Sequence, residues 1–331
     1  MDTAHPKLRT IRFLLRSILF AGPAVSMLTG CHAGSGKREV VAIPLFSTES
    51  VSSCEHVGMD EAIEGTDLHL AWNGPSDGDT QRQIDLFNDA IKRHAYGITF
   101  NPRSLYAANG VIRDALAEKT PVVVLLHRLP LAPAKHLSFV VEDTDAAANM
   151  VATRLQQILP AHSGVLLVGL DSLSAGGEDR FTAVESAIRQ MAPQVSIAGR
   201  ITAPPTISAF ESSIRDALAH KEDIRAIVAL DSHAGYAAAA VLHNADTPQA
   251  IRVISFDQNM EVLASLRQGE VDSVVVQNMR EIGHIAIANM IHDRAGEPVA
   301  PVTYVKPMLV TRDNIDSEAV QNILVMNWVQ K

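Results

Sequence analysis

No segment beyond residue 30 offers about 18 consecutive uncharged apolar residues, so the 331-residue chain has no later candidate for a membrane-spanning helix. It also lacks an excess of basic charge. With 28 Lys and Arg against 37 Asp and Glu, the formal net charge is −9, which argues against a nucleic-acid partner. No Gly-x-Gly-x-x-Gly follows a strand, and there is no Gly-Lys-Ser/Thr phosphate loop and no Gly-x-Ser-x-Gly elbow. The 13 histidines are scattered without His-x-x-x-His spacing, so no metal site, no cofactor and no enzyme activity are expected. Cysteine is scarce, with two in the chain, and no solenoid repeat of fixed period occurs. What is present, 47% apolar and 20% charged residues, suits one or two globular domains.

The first 30 residues are organised differently. Lys7, Arg9, Arg12 and Arg16 form a basic head, residues 18–28 form a short apolar run, and Leu28-Thr29-Gly30-Cys31 closes it. This order resembles the signal peptide of a bacterial lipoprotein, which implies acylation at Cys31 and cleavage just before it. An ordinary secretory signal with a coincidental cysteine, or a buried N-terminal helix, is the alternative. Acyl chains contribute roughly 0.8 kcal/mol per buried methylene, so two or three on one cysteine hold a domain at a membrane without a spanning helix. Asp2 against four basic side chains gives this segment +3, so its removal takes the net charge from −9 to −12. With Cys31 acylated, Cys54 is the remaining thiol and serves as a packing residue, with no intramolecular disulfide. Residues 31–38 are Gly-rich and polar, as a flexible tether is.

Short β-branched or apolar runs then recur at residues 40–45, 68–72, 97–100, 122–126, 165–168, 227–230, 253–256 and 274–276. Amphipathic stretches separate them, at 81–93, 104–118, 145–159, 181–191, 207–220 and 260–268. Alternation of this kind is the signature of βαβ crossovers and of parallel strands buried on both faces. The chain beyond the tether exceeds one comfortable doubly wound core, so two α/β lobes are expected. The first takes residues 39–142 plus 278–301 and the second 143–277 plus 302–331, with crossovers near Glu142-Asp143, Gln277-Asn278 and 301–303.

Ligands of open parallel sheets sit beyond the carboxyl ends of the strands. The polar residues there are Ser47, Thr48 and Glu49, Asn73-Gly74-Pro75, Asn101-Pro102, His127-Arg128 and Glu142-Asp143, then Asp171 and Ser172, Asp231-Ser232-His233, Phe256-Asp257 and Gln277-Asn278. The set is rich in carboxylates and amides and poor in activated nucleophiles. Asp231 and Asp257 can alternatively cap the helices that follow them. Arg128 can pair with Glu142 or Asp143, and Asn101 can simply begin a turn before Pro102.

Five segments in order resemble the type I periplasmic binding proteins of the ribose-binding kind, a fold shared with the sensing half of lac repressor type regulators. They are Gly97-Ile98-Thr99-Phe100-Asn101-Pro102, Pro121 to Arg128, Asp231 to Ala240, Ile254-Ser255-Phe256-Asp257, and Val276-Gln277 followed by Ile282-Gly283. The resemblance runs from about Val40 to Asn314 and implies two doubly wound lobes joined by a multi-crossover hinge. It makes Asn101 and Arg128 ligand contacts from the first lobe, and Asp231, Asp257 and Gln277 contacts from the second lobe and hinge. Arg180 matches the arginine that opens a family helix, with Glu178 competing for a second arginine's place. It further implies a monomer that binds a monosaccharide and docks on a permease of the ATP-binding cassette type or on a membrane sensor kinase.

Sugar hydroxyls both donate and accept, and a guanidinium fork or a carboxylate can engage two at once. A sugar ring also rests its apolar face on aromatic side chains. Two departures from the family stand out. Ser47-Thr48-Glu49-Ser50 replaces phenylalanines after the first strand, leaving Phe46, Trp72, Phe181, Tyr236 and Phe256 as platform candidates, Trp72 foremost. His127 stands where the family has an aspartate. A transcription regulator is disfavoured, since residues 1–60 carry an export signal and no helix-turn-helix. The expected function is capture of a sugar or similar polyhydroxylated solute outside the cytoplasm, for import or, alternatively, for signalling.

Overall fold

The computed structural model describes residues 37–45, 47, 50–132, 134–170, 177–203, 206–220, 223–243 and 251–324. Cys31, Phe46, Thr48, Glu49, Asp171 and Ser172 lie outside them. The first part of the chain alternates β1 (Arg38–Ile43), α1 (Ser50–Ile63), β2 (Leu68–Trp72), α2 (Thr80–Lys92), β3 (Gly97–Phe100), α3 (Leu105–Ala117), β4 (Val122–Leu126) and β5 (Leu137–Glu142). The second continues with α4 (Thr144–Ile158), β6 (Gly164–Leu170), α5 (Gly177–Met191), β7 (Ser196–Ala203), α6 (Ile207–His220), β8 (Ile224–Ala229), α7 (Ser232–His243), β9 (Arg252–Phe256), α8 (Met260–Gln268) and β10 (Ser273–Val276). Last come α9 (Met279–Ala295), β11 (Val302–Val305), β12 (Met308–Thr311) and α10 (Glu318–Leu324).

Among the described residues the strands form two six-stranded sheets, in the orders β11-β5-β4-β3-β1-β2 and β12-β10-β9-β8-β6-β7. Every pair is parallel except β10 with β12, an antiparallel edge. Alternate residues of each strand feed opposite faces, as the pleat requires. Val41, Ile43, Val122 and Val124 pack with Phe87 of α2 and Ile112 of α3, while Val40, Ala42, Val123 and Leu125 pack with Met59 of α1 and Ile287 of α9. In the second sheet Val165 and Leu167 face Val151 and Val184, whereas Leu166 and Val168 face Phe210 and Ala238. Side chains such as Phe87 and Phe210 are wholly buried, each contributing about 1.5–3 kcal/mol over an exposed position.

Four strands, β5, β7, β11 and β12, fall outside the runs expected from sequence. Ser138 and Glu142 interrupt the apolar pattern of β5, and the other three are sheet edges with one neighbour each, so their patterns are mixed. One lobe boundary also moves. Val302–Val305, assigned by sequence to the second lobe, pair with β5 in the first sheet, so the third crossover lies after Val305 rather than at Pro301 to Thr303. The helix α10 in turn serves both lobes. Val320 and Leu324 pack in the second core, while the Leu324 carbonyl accepts from Cys54 Sγ of α1 (3.4 Å) and the Asn322 carbonyl from Arg280 of α9 (3.2 Å). Burial pushes the Cys54 thiol up to about 11, which leaves it an inert packing group.

Candidate functional site

The sheet ladders carry on just past the strand ends and fix the residues that follow. Asn101 N–H donates to Ile43 (3.0 Å), Leu230 N–H to Val168 (2.7 Å) and Asp257 N–H to Val275 (3.0 Å). Helices begin immediately afterwards, with Asp143, Asn259 and Asn278 as N-caps of α4, α8 and α9. Two non-glycine residues at these ends, Leu126 (φ 67°) and Asp257 (φ 59°), take the left-handed conformation. Such geometry costs of order 1–3 kcal/mol and collects at functional sites.

Arg180, in the first turn of α5, is the centre of the arrangement. Its two terminal nitrogens grip Asp257 as a fork (2.7 and 3.0 Å), reach Glu142 Oε2 at the end of β5 (3.1 Å) and donate to the Leu230 carbonyl (2.8 Å). Gln277 Nε2 donates to the same Asp257 carboxylate (2.6 Å). Glu142 belongs to the first sheet and Arg180 to the second lobe, so this pair spans the hinge. Beside it lies a cavity of 450 Å³ walled by His127, Arg128 and Glu142 on one side and Asp145, Asp179 and Arg180 on the other.

Burial opposes the charge of Arg180, but Asp257 and Glu142 outweigh it and hold the guanidinium firmly protonated. Glu142 is raised above the usual carboxylate range by burial, against the pull of Arg180. Asp231 is pushed up to about 6 by burial, although Ala234 N–H stabilises its charged form. His127 is pushed down to about 4 by burial and by Arg180. A histidine depressed from 6.5 in this way binds its proton more readily when unfolded, so the stability it leaves intact at neutral pH is lost as pH falls from 6.5 towards 4. His127→Asn is expected to flatten that part of the stability curve; chemical denaturation at pH 7, 5.5 and 4.5 measures it, and parallel curves would refute it.

The expected residues divide into groups. Arg180, Asp257 and Gln277 are bonded together, His127 and Arg128 wall the adjoining cavity, and Asp231 lies within the electrostatic reach of Asp257 and Arg180. Asp231 does cap α7, its Oδ1 accepting from His233 and Ala234 N–H (both 3.0 Å), yet its Oδ2 has no partner among the described residues. Asp257 is no cap. Arg128 is exposed and holds no ion pair among the described residues, because Arg180 takes Glu142 instead. Asn101 is buried at the end of β3, outside the cavity wall, with Oδ1 unpaired among the described residues.

The aromatic platforms require correction. Trp72 ends the edge strand farthest from β5, and one of its faces is covered by His56 at 4.5 Å with 4° between the rings. Phe256 is 1% exposed and sits in the second core, where its ring lies 5.2 Å from the Arg180 guanidinium and steadies it. Phe181 is likewise fully buried, beneath Arg200, which also pairs with Glu178 and so turns that residue away from the cluster. Tyr304 of β11 borders the cavity and is 56% exposed. It was missed, as were Glu142 as the partner of Arg180 and Gln83, whose amide joins the Pro44 and Asn101 carbonyls (3.1 and 2.9 Å). No local signal marks Gln83; Glu142 was legible as a strand-end carboxylate.

A family model described as a periplasmic binding protein domain matches residues 46–297. The D-allose-binding periplasmic protein of Escherichia coli (strain K12) is 23% identical over 296 residues, covering 86% of this chain and 93% of that one. A glucose-galactose binding protein from Geobacillus stearothermophilus shares the fold with a TM-score of 0.77 at 19% identity, over 84% of this chain and 99% of its own. A solute-binding protein of an ABC transporter from Agrobacterium vitis, solved with α-D-tagatopyranose, gives 0.78 at 16% identity over 87% and 99%. A match across most of the chain, on two α/β lobes whose strand ends meet around Arg180, shows that this protein belongs to the periplasmic binding protein domain family.

Proposed function

We propose that the protein captures a sugar, or a similar polyhydroxylated small molecule, between its lobes and delivers it to an ABC-type importer, tethered at a membrane through acylated Cys31. One observation carries the reading. Nine buried side-chain atoms lack a hydrogen-bond partner among the described residues, and five of them, Asn101 Oδ1, Glu142 Oε1, Asp231 Oδ2, Gln258 Oε1 and Gln277 Oε1, stand together at or just beyond the carboxyl ends of strands from both lobes. An unsatisfied buried polar group costs about 1–3 kcal/mol, and ligand hydroxyls would satisfy several such groups together. A sugar lacking a matching hydroxyl leaves one unpaired, which is the source of selectivity. The allose- and tagatose-binding relatives support the same ligand class.

Binding then acts on the hinge. Ligand bridging His127 and Arg128 to residues of the second lobe favours the closed form by its differential affinity, and closure reports occupancy to the importer. A thermal-shift panel of pentoses and hexoses should identify sugars that raise the melting temperature by an amount set by RT ln(1 + [L]/Kd). Arg128→Ala should weaken the best of them about tenfold, the loss of one or two charge-assisted bonds, without lowering the melting temperature of the free protein. A panel with no responding sugar would sink the proposal. Membrane fractionation of cells checks the anchor.

A further inference from the structure

Two prolines interrupt the first sheet at its carboxyl edge. Pro44 directly follows β1 and Pro102 follows β3 by one residue, and neither has an N–H to carry the ladder onward. The Pro44 and Asn101 carbonyls take hydrogen bonds from a side chain instead, Nε2 of Gln83 in the first turn of α2 (3.1 and 2.9 Å). Oε1 of the same carboxamide accepts from Arg103 N–H (3.0 Å). Asp79, the N-cap of α2, accepts from Arg82 N–H (2.6 Å) and fixes the turn from which Gln83 projects. The buried residues of α2 are Gln83, Phe87 and Ala90, so the stripe turns polar where it reaches the strand ends.

Two donors and one acceptor on a single short group are what a carboxamide offers and what neither a carboxylate nor an apolar side chain can supply. Gln83 is 1% exposed and spends both polarities on main chain, so it does not itself meet a ligand. What it holds is Asn101, whose N–H is tied to Ile43 (3.0 Å), whose carbonyl is tied to Gln83, and whose Oδ1 is buried and unpaired among the described residues. A binding group must be held to within about 0.5 Å by the hydrogen bonds behind it. We propose that Gln83 is a positioning residue of the sugar site, which clamps the ends of β1 and β3 so that the Asn101 amide oxygen is set to accept from a ligand hydroxyl. This inference rests on the reading of the cleft as a sugar site.

A double-mutant cycle tests it, read by isothermal titration of the full chain with D-allose, D-glucose, D-galactose, D-fucose, D-arabinose and D-tagatose. Gln83→Met and Asn101→Ala should each weaken the tightest of these about tenfold, the loss of one hydrogen bond to the sugar, and the double variant should bind no more weakly than Asn101→Ala alone. Should Gln83→Met fold poorly, Gln83→Glu takes its place, since it keeps the shape and the acceptor for Arg103 but loses the two donors. Unchanged affinity in the Gln83 variant, even with a lowered melting temperature, overturns the inference and leaves the sugar site standing. So does unchanged affinity in Asn101→Ala, or losses that multiply in the double variant, because Gln83 would then act independently of Asn101. Failure of the unsubstituted chain to bind any of the six sugars overturns both.

Discussion

Arg180→Ala is expected to abolish sugar binding and to lower the melting temperature of the free protein by about 10 °C. The guanidinium compensates Asp257 and Glu142, both largely shielded from water, with 19% and 6% of their side chains exposed. Removing one partner of a buried pair costs about 3–5 kcal/mol because the others remain buried and uncompensated. Two carboxylates would then face each other across the hinge, and the lobes would lose their ionic link. Asp257→Ala fails for the converse reason, since it strips Arg180 of its fork and Gln277 of its acceptor. Arg180→Lys is an informative control: it retains charge but cannot reproduce the bidentate grip. A free-protein melting temperature unchanged in Arg180→Ala would show that the network contributes nothing to the fold.

Gly58→Ala is expected to be the most damaging single-methyl change in the first lobe. A Cβ at Gly58 would lie 1.9 Å from the Arg280 carbonyl oxygen, and one at Gly283 would lie 2.2 Å from that of Glu55. The two glycines therefore let α1 and α9 approach until backbone meets side-chain space. Ordinary overpacking costs about 1–3 kcal/mol because side chains can yield. Here the obstacle is main chain, so α9 must move away from Met59 and the sheet beneath, and several kcal/mol are expected to be lost. Because α9 begins two residues after Gln277, the shift should also displace that side chain and weaken the ligand. Gly110→Ala is the counterpart. Apart from its own helix, nothing among the described residues lies within 4 Å of its Cβ position, and alanine in a helix interior is favoured over glycine by about 0.5–1 kcal/mol, so that variant should be slightly stabilised. Paired urea denaturations measure both, and equal midpoints for the Gly58 and Gly110 variants would contradict the account.

Much of this architecture was legible in local pattern. The runs at Val122 to Leu126 and Val253 to Phe256 are apolar without alternation because both faces of each strand are covered by helices, and that property survives in one dimension. Edge strands carry that mark less reliably: β2 was legible, but β7, β11 and β12 were missed and a lobe boundary was misplaced by four residues. Asp257 and Gln277 were readable because polar residues directly after a buried strand must emerge at the same end of the sheet, whereas Arg180 was found only through the resemblance of its helix to one that a family arginine opens.

Which of them touch is another matter. Arg128 was the cation that the chain offered to Glu142, and Arg180 took its place because of how α5 of one lobe meets β5 of the other. The aromatic residues were misjudged for a related reason. Trp72 and Phe256 have the chemistry of a sugar platform, but a ring serves as one only if an open face meets the cleft, which depends on neighbours distant in sequence: Trp72 stands on the edge strand farthest from β5 with one face on His56, and Phe256 is enclosed in the second core. Periodicity and strand-end chemistry thus dictated two parallel-sheet lobes and a polar rim at their carboxyl edges. The docking of the lobes decided the Glu142–Arg180 clasp and the open acceptors, because desolvation and ion pairing act through space, between groups that sequence separation does not rank.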